Sequence, residues 1–290
     1  MLCLQALSNV DQPTMAAKTI ADMPIPSVMN GFTVASYAAR VFAPTLVEEK
    51  GLYAVKKMLD SVKDKLPEPG DDANEQRYHT MAKATLIGGY AEAMVTMGQE
   101  EMAFKYLDDE IANADEALAN NLKGNVRSLK ATATRNAIVG NASPAFGFGK
   151  EINGFKGMDA WKGKVVVIDF FAHWCGPCKV SFPDIRKMYD DLHDKGLEIV
   201  SVTKYYGFYN QERDLTPEQE FGKMHDFMKE FNMNWQVAYV EDSMFEEYGV
   251  TGIPTAYLVD RDGNIHSYKV GYSPESFKEF RKKVEELLAK

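Results

Sequence analysis

The sequence predicts an all-helical domain followed by an α/β domain in which a mixed sheet is flanked by helices. Three observations carry this. Residues 31–135 are rich in Ala, Met, Lys and Glu, with apolar positions at helical spacing and few β-branched runs. Beyond them, apolar β-branched runs alternate with helical segments, as they do when helices cover the faces of a sheet. The chain's 290 residues exceed what one compact domain usually holds. With 45% hydrophobic, 11% aromatic and 26% charged residues the chain can bury a core, so disorder is excluded as an overall description. No run approaches twenty apolar residues, which argues against a membrane span. A net charge of −9, with neither half basic, argues against nucleic acid as a partner.

In chain order, residues 1–30 read as an N-terminal extension and 31–135 as a helical domain of unassigned role. One helix is expected over Glu48 to Leu66, stopped by Pro67-Glu68-Pro69-Gly70; the next starts near Asp72 and continues to Met97, where Gly98 ends it. Ile87, Tyr90, Met94, Gly98, Ala103 and Leu107 faintly resemble one tetratricopeptide-type helix pair, but no second copy appears at the required period, which favours ordinary helix packing. Residues 136–148 read as a linker and lead-in segment because Gly140-Asn141-Ala142-Ser143-Pro144 has turn chemistry. In residues 149–290 the expected strands are Val165 to Phe171, Leu197 to Thr203, Gln236 to Val240, Thr255 to Val259 and Asn264 to Val270. Asp262-Gly263 predicts an antiparallel hairpin between the last two. Thr216-Pro217-Glu218-Gln219 predicts a capping box that opens a helix with Phe221, Met224, Met228 and Phe231 as its buried stripe. Ser273-Pro274 opens a last helix with the stripe Phe277, Phe280, Val284 and Leu287. Tyr205, Tyr206, Phe208 and Tyr209 either cover a sheet edge, the favoured reading, or line a substrate-facing rim.

Three cysteines cannot build a disulfide scaffold, and two of them, Cys175 and Cys178, form a Cys-x-x-Cys. Such a pair is either half of a zinc site or a redox dithiol. Zinc lacks further ligands: His173 stands too close to Cys175 in an extended segment, and His193, His225 and His266 stand singly, so no metal is expected. The run from Val165 to Lys179 reads as a buried strand that delivers Cys175 to a turn, with Cys178 inside the helix that follows. Free N–H groups and the positive end of that helix favour a thiolate on Cys175, the nucleophile; Cys178, a turn further in, is placed to resolve the mixed disulfide. Asp169, on the strand six residues before Cys175, is read as a desolvated carboxyl that takes the proton from Cys178; the alternative is a strand-end aspartate satisfied by backbone or water.

These residues closely resemble the thioredoxin superfamily over about Ser143 to Lys290, and within it the TlpA/ResA group of thiol-disulfide reductases. Trp174-Cys175-Gly176-Pro177-Cys178 matches the active-site motif, Asp169 the buried acid, Pro183 the proline inside the helix, and Gly252-Ile253-Pro254-Thr255 the loop whose proline is cis in that family. Ser143-Pro144-Ala145-Phe146 resembles the group's first strand, Trp161-Lys162-Gly163-Lys164 its lead into the first core strand, Leu258-Val259-Asp260-Arg261-Asp262-Gly263 its late hairpin, and the insertion after Thr203 also fits. Two positions depart from the pattern. Many members carry another polar residue in place of Asp169, and the lysine that partners the buried acid has only Lys204 as a stand-in. The resemblance implies a thioredoxin-like fold and a disulfide reductase with no cofactor beyond the redox-active disulfide of Cys175 and Cys178. Trp174, Ile253 and Pro254 would form the substrate edge, with disulfide-containing proteins and an upstream dithiol donor as partners. Gly-Pro between the cysteines is thioredoxin's own pair; thioredoxin's potential of about −270 mV marks a reductant against about −120 mV for a strong oxidant. An extracytoplasmic location follows from the resemblance, although residues 1–30 show no intact secretion signal; Met1-Leu2-Cys3 reads as an incidental exposed cysteine rather than a lipoprotein remnant. Two rival functions are a partner-binding scaffold that uses the helical domain and a thiol peroxidase.

Overall fold

The computed structural model describes residues 13–145 and 147–290, so Cys3 and Phe146 lie outside the described residues. The chain forms two compact units that divide between Ala133 and Thr134. The first is helical: α1 (Pro13–Asp22), α2 (Val28–Tyr37), a π-helical turn (Ala38–Phe42), α3 (Ala43–Lys63), α4 (Ala73–Thr96), α5 (Glu100–Ala112) and α6 (Glu116–Ile138), whose last turn and a half belongs to the second unit.

Local chemistry sets most of these ends. The Asp72 carboxylate accepts the Asn74 and Glu75 N–H groups and starts α4 where the sequence predicts it. α3 stops ahead of Pro67 but begins at Ala43, five residues before Glu48, because Pro44 is tolerated in a first turn. Gly51, at φ 73°, interrupts its helical dihedrals, a conformation glycine adopts without a steric penalty. The segment read as an extension contributes α1, whose Ala17 and Ile20 are buried with Val55, Met58 and Leu59. Ile87, Met94, Ala103 and Leu107 share one buried cluster with Leu122 and Leu129 of α6.

The second unit is built on a six-stranded mixed sheet of order β1-β6-β3-β2-β7-β8. Its elements are β1 (Glu151–Ile152), β2 (Val165–Phe170), α7 (Gly176–Leu192), β3 (Leu197–Thr203), a short hairpin β4 (Phe208–Tyr209) and β5 (Glu212–Arg213), α8 (Pro217–Glu230), β6 (Gln236–Tyr239), α9 (Asp242–Glu247), β7 (Thr255–Val259), β8 (Ile265–Val270) and α10 (Pro274–Leu288). β2 is parallel to β3, and β3 to β6, while β7 and β8 run antiparallel as the Asp262-Gly263 turn predicts. In that turn Asp260 Oδ1 accepts the Asp262 and Asn264 N–H groups and Gly263 has φ 85°.

Every residue of β2 is buried, and alternation sends them into two cores. Val165 and Val167 join Phe182, Ile185, Phe227, Phe277 and Phe280 of α7, α8 and α10; Val166, Ile168 and Phe170 join Met244, Phe245 and Tyr248 on the other face. The predicted stripe of α10 is buried throughout. In α8 the capping box forms as expected, but the buried face is Met224, Phe227 and Met228; Phe221 and Phe231 are only half-buried at its rim.

Two expectations for residues 136–148 need correction. Helix α6 continues to Ile138, and Ser143 to Ala145 form no strand. Val139 and Ala142 instead make single bridges to Ile265 and Asn264, the Gly140 N–H donates to the Ile265 carbonyl, and the Ser143 N–H to that of Gly263. β8 is an edge strand whose free backbone groups need partners, and this segment supplies them at its start. Arg135, from the last turns of α6, donates through Nη1 to the Gly249 carbonyl (2.6 Å) and lies over the Tyr268 ring.

A fragment that starts at Thr134 should therefore unfold in one cooperative urea transition. A fragment that starts at Pro144, which loses Arg135 and the bridges to β8, should be less stable by about 1–3 kcal/mol, the usual cost of leaving buried backbone acceptors unpaired. Equal midpoints for the two fragments would show that these contacts contribute nothing.

Candidate active site

The C-terminal end of β2 and the start of α7 bring the two cysteines together. Cys175 is the N-cap of α7, and its Sγ accepts the Cys178 N–H at 3.2 Å. A helix N-terminus thus aims a donor and the positive end of its dipole at this sulfur, the arrangement that lowers a thiol's pKa. Cys175 and Cys178 are joined by a disulfide. The expected difference in access is small here: Cys175 is 3% exposed and Cys178 fully buried. Trp174 is 48% exposed, Gly176 and Pro177 lie on the surface, and Pro183 lies inside α7.

The register of the sheet brings the proline loop to the same end. Phe170, the last residue of β2, pairs with Thr255, the first of β7, so Pro254 lies beside the point where β2 hands the chain to the dithiol turn. The Ile253-Pro254 bond is cis. Ile253 packs against the core that contains both cysteines, and it lines an open groove with Trp174, Tyr206 and Val250.

Asp169 is 2% exposed and, by alternation with Val167, points to the face covered by α7. Its partners form a chain: Trp235 Nε1–H donates to Ser201 Oγ (2.8 Å), and the Ser201 hydroxyl donates to Asp169 Oδ2 (2.9 Å). Burial pushes the Asp169 carboxyl up to about 6, against the opposing pull of the Ser201 hydroxyl and the Lys269 ammonium. Lys269, on β8, is in turn held below the ordinary lysine value by burial, with Asp169 opposing. Asp169, Lys269, Ser181 and Pro254 line one small cavity. Lys204 is not the partner of the buried acid. Its ammonium pairs with Asp242 (2.7 Å) and lies over the Phe245 ring, because the end of β3 points it toward α9.

The insertion after β3 walls the other side of the turn. Tyr206 stands edge-on to Trp174, and Tyr206, Phe208 and Tyr209 surround His173, whereas Tyr205 stacks on Tyr239 of the sheet. Tyr205 thus covers an interior strand of the sheet rather than its edge, while Tyr206, Phe208 and Tyr209 pack around the dithiol turn. Burial pushes the His173 imidazole down to about 4, Lys179 adds to this, and a hydrogen bond to the Phe208 backbone opposes it.

A family model described as Redoxin matches residues 138–288. The chain belongs to the Redoxin family. The matched Redoxin region contains the whole of the sheet and both cysteines of the disulfide. Among curated proteins it is similar to the thiol-disulfide oxidoreductase ResA of Bacillus thuringiensis subsp. konkukian (strain 97-27), with 29% identity over 126 residues that cover 43% of this chain and 65% of that protein. It is also similar to ResA of Bacillus subtilis (strain 168), with 30% identity over 116 residues, 40% of this chain and 58% of that one. The chain thus spans less than two thirds of the length of these relatives. A solved structure of a putative thiol:disulfide interchange protein DsbE from Chlorobium tepidum covers 50% of this chain and 98% of its own, with 26% identity and a TM-score of 0.40.

Sequence reasoning missed Ser201, Glu220, Trp235 and Lys269. Ser201 was detectable as the polar residue inside the apolar run of β3, on the same alternation as Asp169. Glu220 carried no signal, since an acidic residue in a helix's first turns is ordinarily a solvated dipole partner.

The raised Asp169 value has a signed consequence. The folded protein holds this proton more tightly than the unfolded chain, so the contribution to stability is full below pH 3.8 and is lost as pH rises through about 6. Relative to wild type, Asp169→Asn should gain roughly 2–3 kcal/mol between pH 4 and pH 8. Urea unfolding of both oxidised proteins across that range checks this; a pH-independent difference would show that Asp169 titrates normally.

Proposed function

We propose that this protein reduces disulfide bonds in other proteins by thiol-disulfide exchange at Cys175 and Cys178. The observation that carries the reading is the Cys175–Cys178 disulfide at the N-terminus of α7 in a Redoxin domain, beside the cis Ile253-Pro254 bond. In the reduced protein the Cys175 thiolate attacks one sulfur of the substrate disulfide, forms a mixed disulfide and releases the other substrate sulfur as a thiolate. Cys178 then loses its proton to the Asp169 carboxylate and attacks Cys175 Sγ. The internal disulfide closes, and the substrate leaves with both of its sulfurs reduced. Two electrons pass from the dithiol to the substrate, and an upstream dithiol returns them.

A carboxyl held near pH 6 suits the step at Cys178: it is largely ionised at neutral pH, yet basic enough to accept a thiol proton. Trp174, Ile253 and Pro254 receive the substrate segment around its cysteine, and the open groove that Trp174 and Ile253 border supports an extended polypeptide there. Gly176 and Pro177 keep the turn between the cysteines short, and Pro183, inside α7, stands at the position of the family's helix-kinking proline. Among the described residues no helix is long and apolar enough to cross a membrane. The resemblance to the ResA group supports an extracytoplasmic site of action.

The assignment of the sulfurs is tested with single variants and an insulin reduction assay. Cys178→Ser keeps the nucleophile but removes the internal attack, so covalent complexes with disulfide substrates should accumulate; Cys175→Ser should form none. Asp169→Asn should slow release of the mixed disulfide by about 10²-fold while leaving its formation nearly unchanged, the scale expected on removal of one general base. Complexes trapped by Cys175→Ser would reverse the assignment, and equal slowing of both steps would remove Asp169 from the mechanism.

A further inference from the structure

A second buried carboxylate lies behind the dithiol turn. Glu220 of α8 is 1% exposed, and a carboxylate so far from water needs donors in its place. Two backbone groups supply them: Tyr206 N–H donates at 3.0 Å and Gly207 N–H at 2.8 Å, both to Oε2. Such bonds favour the ionised form. Glu220 Oε1, which also accepts the Tyr206 N–H at 3.1 Å, stands 3.6 Å from His173 Nε2, outside hydrogen-bonding distance, and among the described residues that nitrogen has no hydrogen-bond partner.

The groups that face this carboxylate leave its charge in place. His173, from the turn, is held neutral at pH 7 by its burial, and the charge of Lys179 on α7 adds to this. Tyr205 and Tyr206 from the loop before β4, and Tyr239 from β6, are all held above the ordinary phenol value, by burial first and with Glu220 among the charges that add to it. Phenols in that condition are neutral. Nothing in this shell is a cation bonded to the carboxylate; it is solvated by two amide groups.

We propose that Glu220 is a fixed buried anion that biases the Cys175–Cys178 couple toward the disulfide and so makes the protein a stronger reductant. This rests on the dithiol being the working redox group, as proposed above. Glu220 touches neither cysteine, so it is a positioning residue that acts on Cys175 through the field. His173 lies two residues from Cys175 and its ring nitrogen stands 3.6 Å from the carboxylate, which puts Glu220 roughly 10–15 Å from the Cys175 sulfur. A unit charge at that range, shielded from salt by burial, shifts a thiol's titration by about one pH unit. In the exchange, the protein disulfide and two glutathione thiols give the protein dithiol and glutathione disulfide, with two electrons and two protons transferred. An anion that raises the energy of the Cys175 thiolate drives this equilibrium back toward the protein disulfide.

The test uses the full chain and two readouts that need no protein substrate: the pH profile of iodoacetamide labelling at Cys175, followed by peptide mass, and the equilibrium with glutathione. Glu220→Gln should lower the labelling midpoint by ~0.5–1 pH unit and shift the equilibrium toward the dithiol by ~3–10-fold, up to about 30 mV. Glu220→Asp, which keeps the charge, should stay within about twofold of wild type on that scale. Glu220→Ala, a second uncharged variant, should move both readouts in the same direction as Glu220→Gln. It carries the test should the glutamine variant fail to fold. A midpoint that rises in Glu220→Gln would mean that His173 carries the proton, and that result overturns the proposal, as does no shift in either variant. Failure of the wild type to reduce insulin would count against the substrate reading alone, because neither readout depends on insulin.

Discussion

The position of β2 is the constraint on which the rest of the redox unit depends. It pairs parallel with β3 on one side and antiparallel with β7 on the other, and all six of its residues are buried. Those pairings fix three things at once. The strand ends where Phe171 and Ala172 lead into the dithiol turn, so the sulfurs sit at the C-terminal edge of the parallel strands, where α7 begins. Because β7 runs the other way, its first residue lies opposite the last residue of β2, and the cis Ile253-Pro254 loop comes to the same edge. Alternation then leaves Asp169 on the face that α7 covers. A one-residue slip of β2 would send Asp169 into the opposite core, among Met244, Phe245 and Tyr248, where nothing solvates it.

The insertion between β3 and β6 completes the site in a different way. It is not needed to close the sheet, since β3 and β6 are parallel neighbours and α8 alone makes the crossover. The Tyr205 to Arg213 stretch is additional. It stacks Tyr205 on Tyr239, sets Tyr206 against Trp174 and packs Phe208 and Tyr209 around His173, which leaves the turn walled on one side and open toward Ile253 on the other. The open groove beside the turn runs between Trp174 and the residues that lead into the proline loop.

What was legible in the sequence follows from how local each signal is. The strands at Leu197–Thr203 and Thr255–Val259, the capping box at Thr216, the Ser273 cap and the helix start near Asp72 are written in a few consecutive residues, and they appear where the pattern places them. The Cys175 turn was legible because motif and secondary structure coincide. The π-helical turn at Ala38–Phe42 and the break at Gly51 were not, because a glycine among Ala, Lys and Glu does not reveal which φ it adopts. The partner of Asp169 was sought on the adjacent strand at Lys204, but electrostatic pairing crosses the sheet, and Lys269 approaches from two strands away. Residues 139–143 have turn composition, and only the bare edge of β8 turns that stretch into paired backbone.

The two buried carboxylates beside the turn differ in how they are solvated, and that difference separates their chemistry. Asp169 receives one hydroxyl bond, from Ser201, and a partial countercharge from Lys269 that is itself weakened by burial. Desolvation therefore wins, and its proton affinity rises into the range where it can exchange a proton with a thiol. Glu220 receives backbone N–H groups from Tyr206 and Gly207, donors that cannot rotate away and carry no proton to give up. Rigid dipoles of this kind stabilise charge without becoming part of a titration. In the proposed cycle the first carboxylate is the proton acceptor and the second supplies a charge. The proposed cycle thereby draws its proton acceptor for Cys178 and its electrostatic bias at Cys175 from two carboxylates held in different environments.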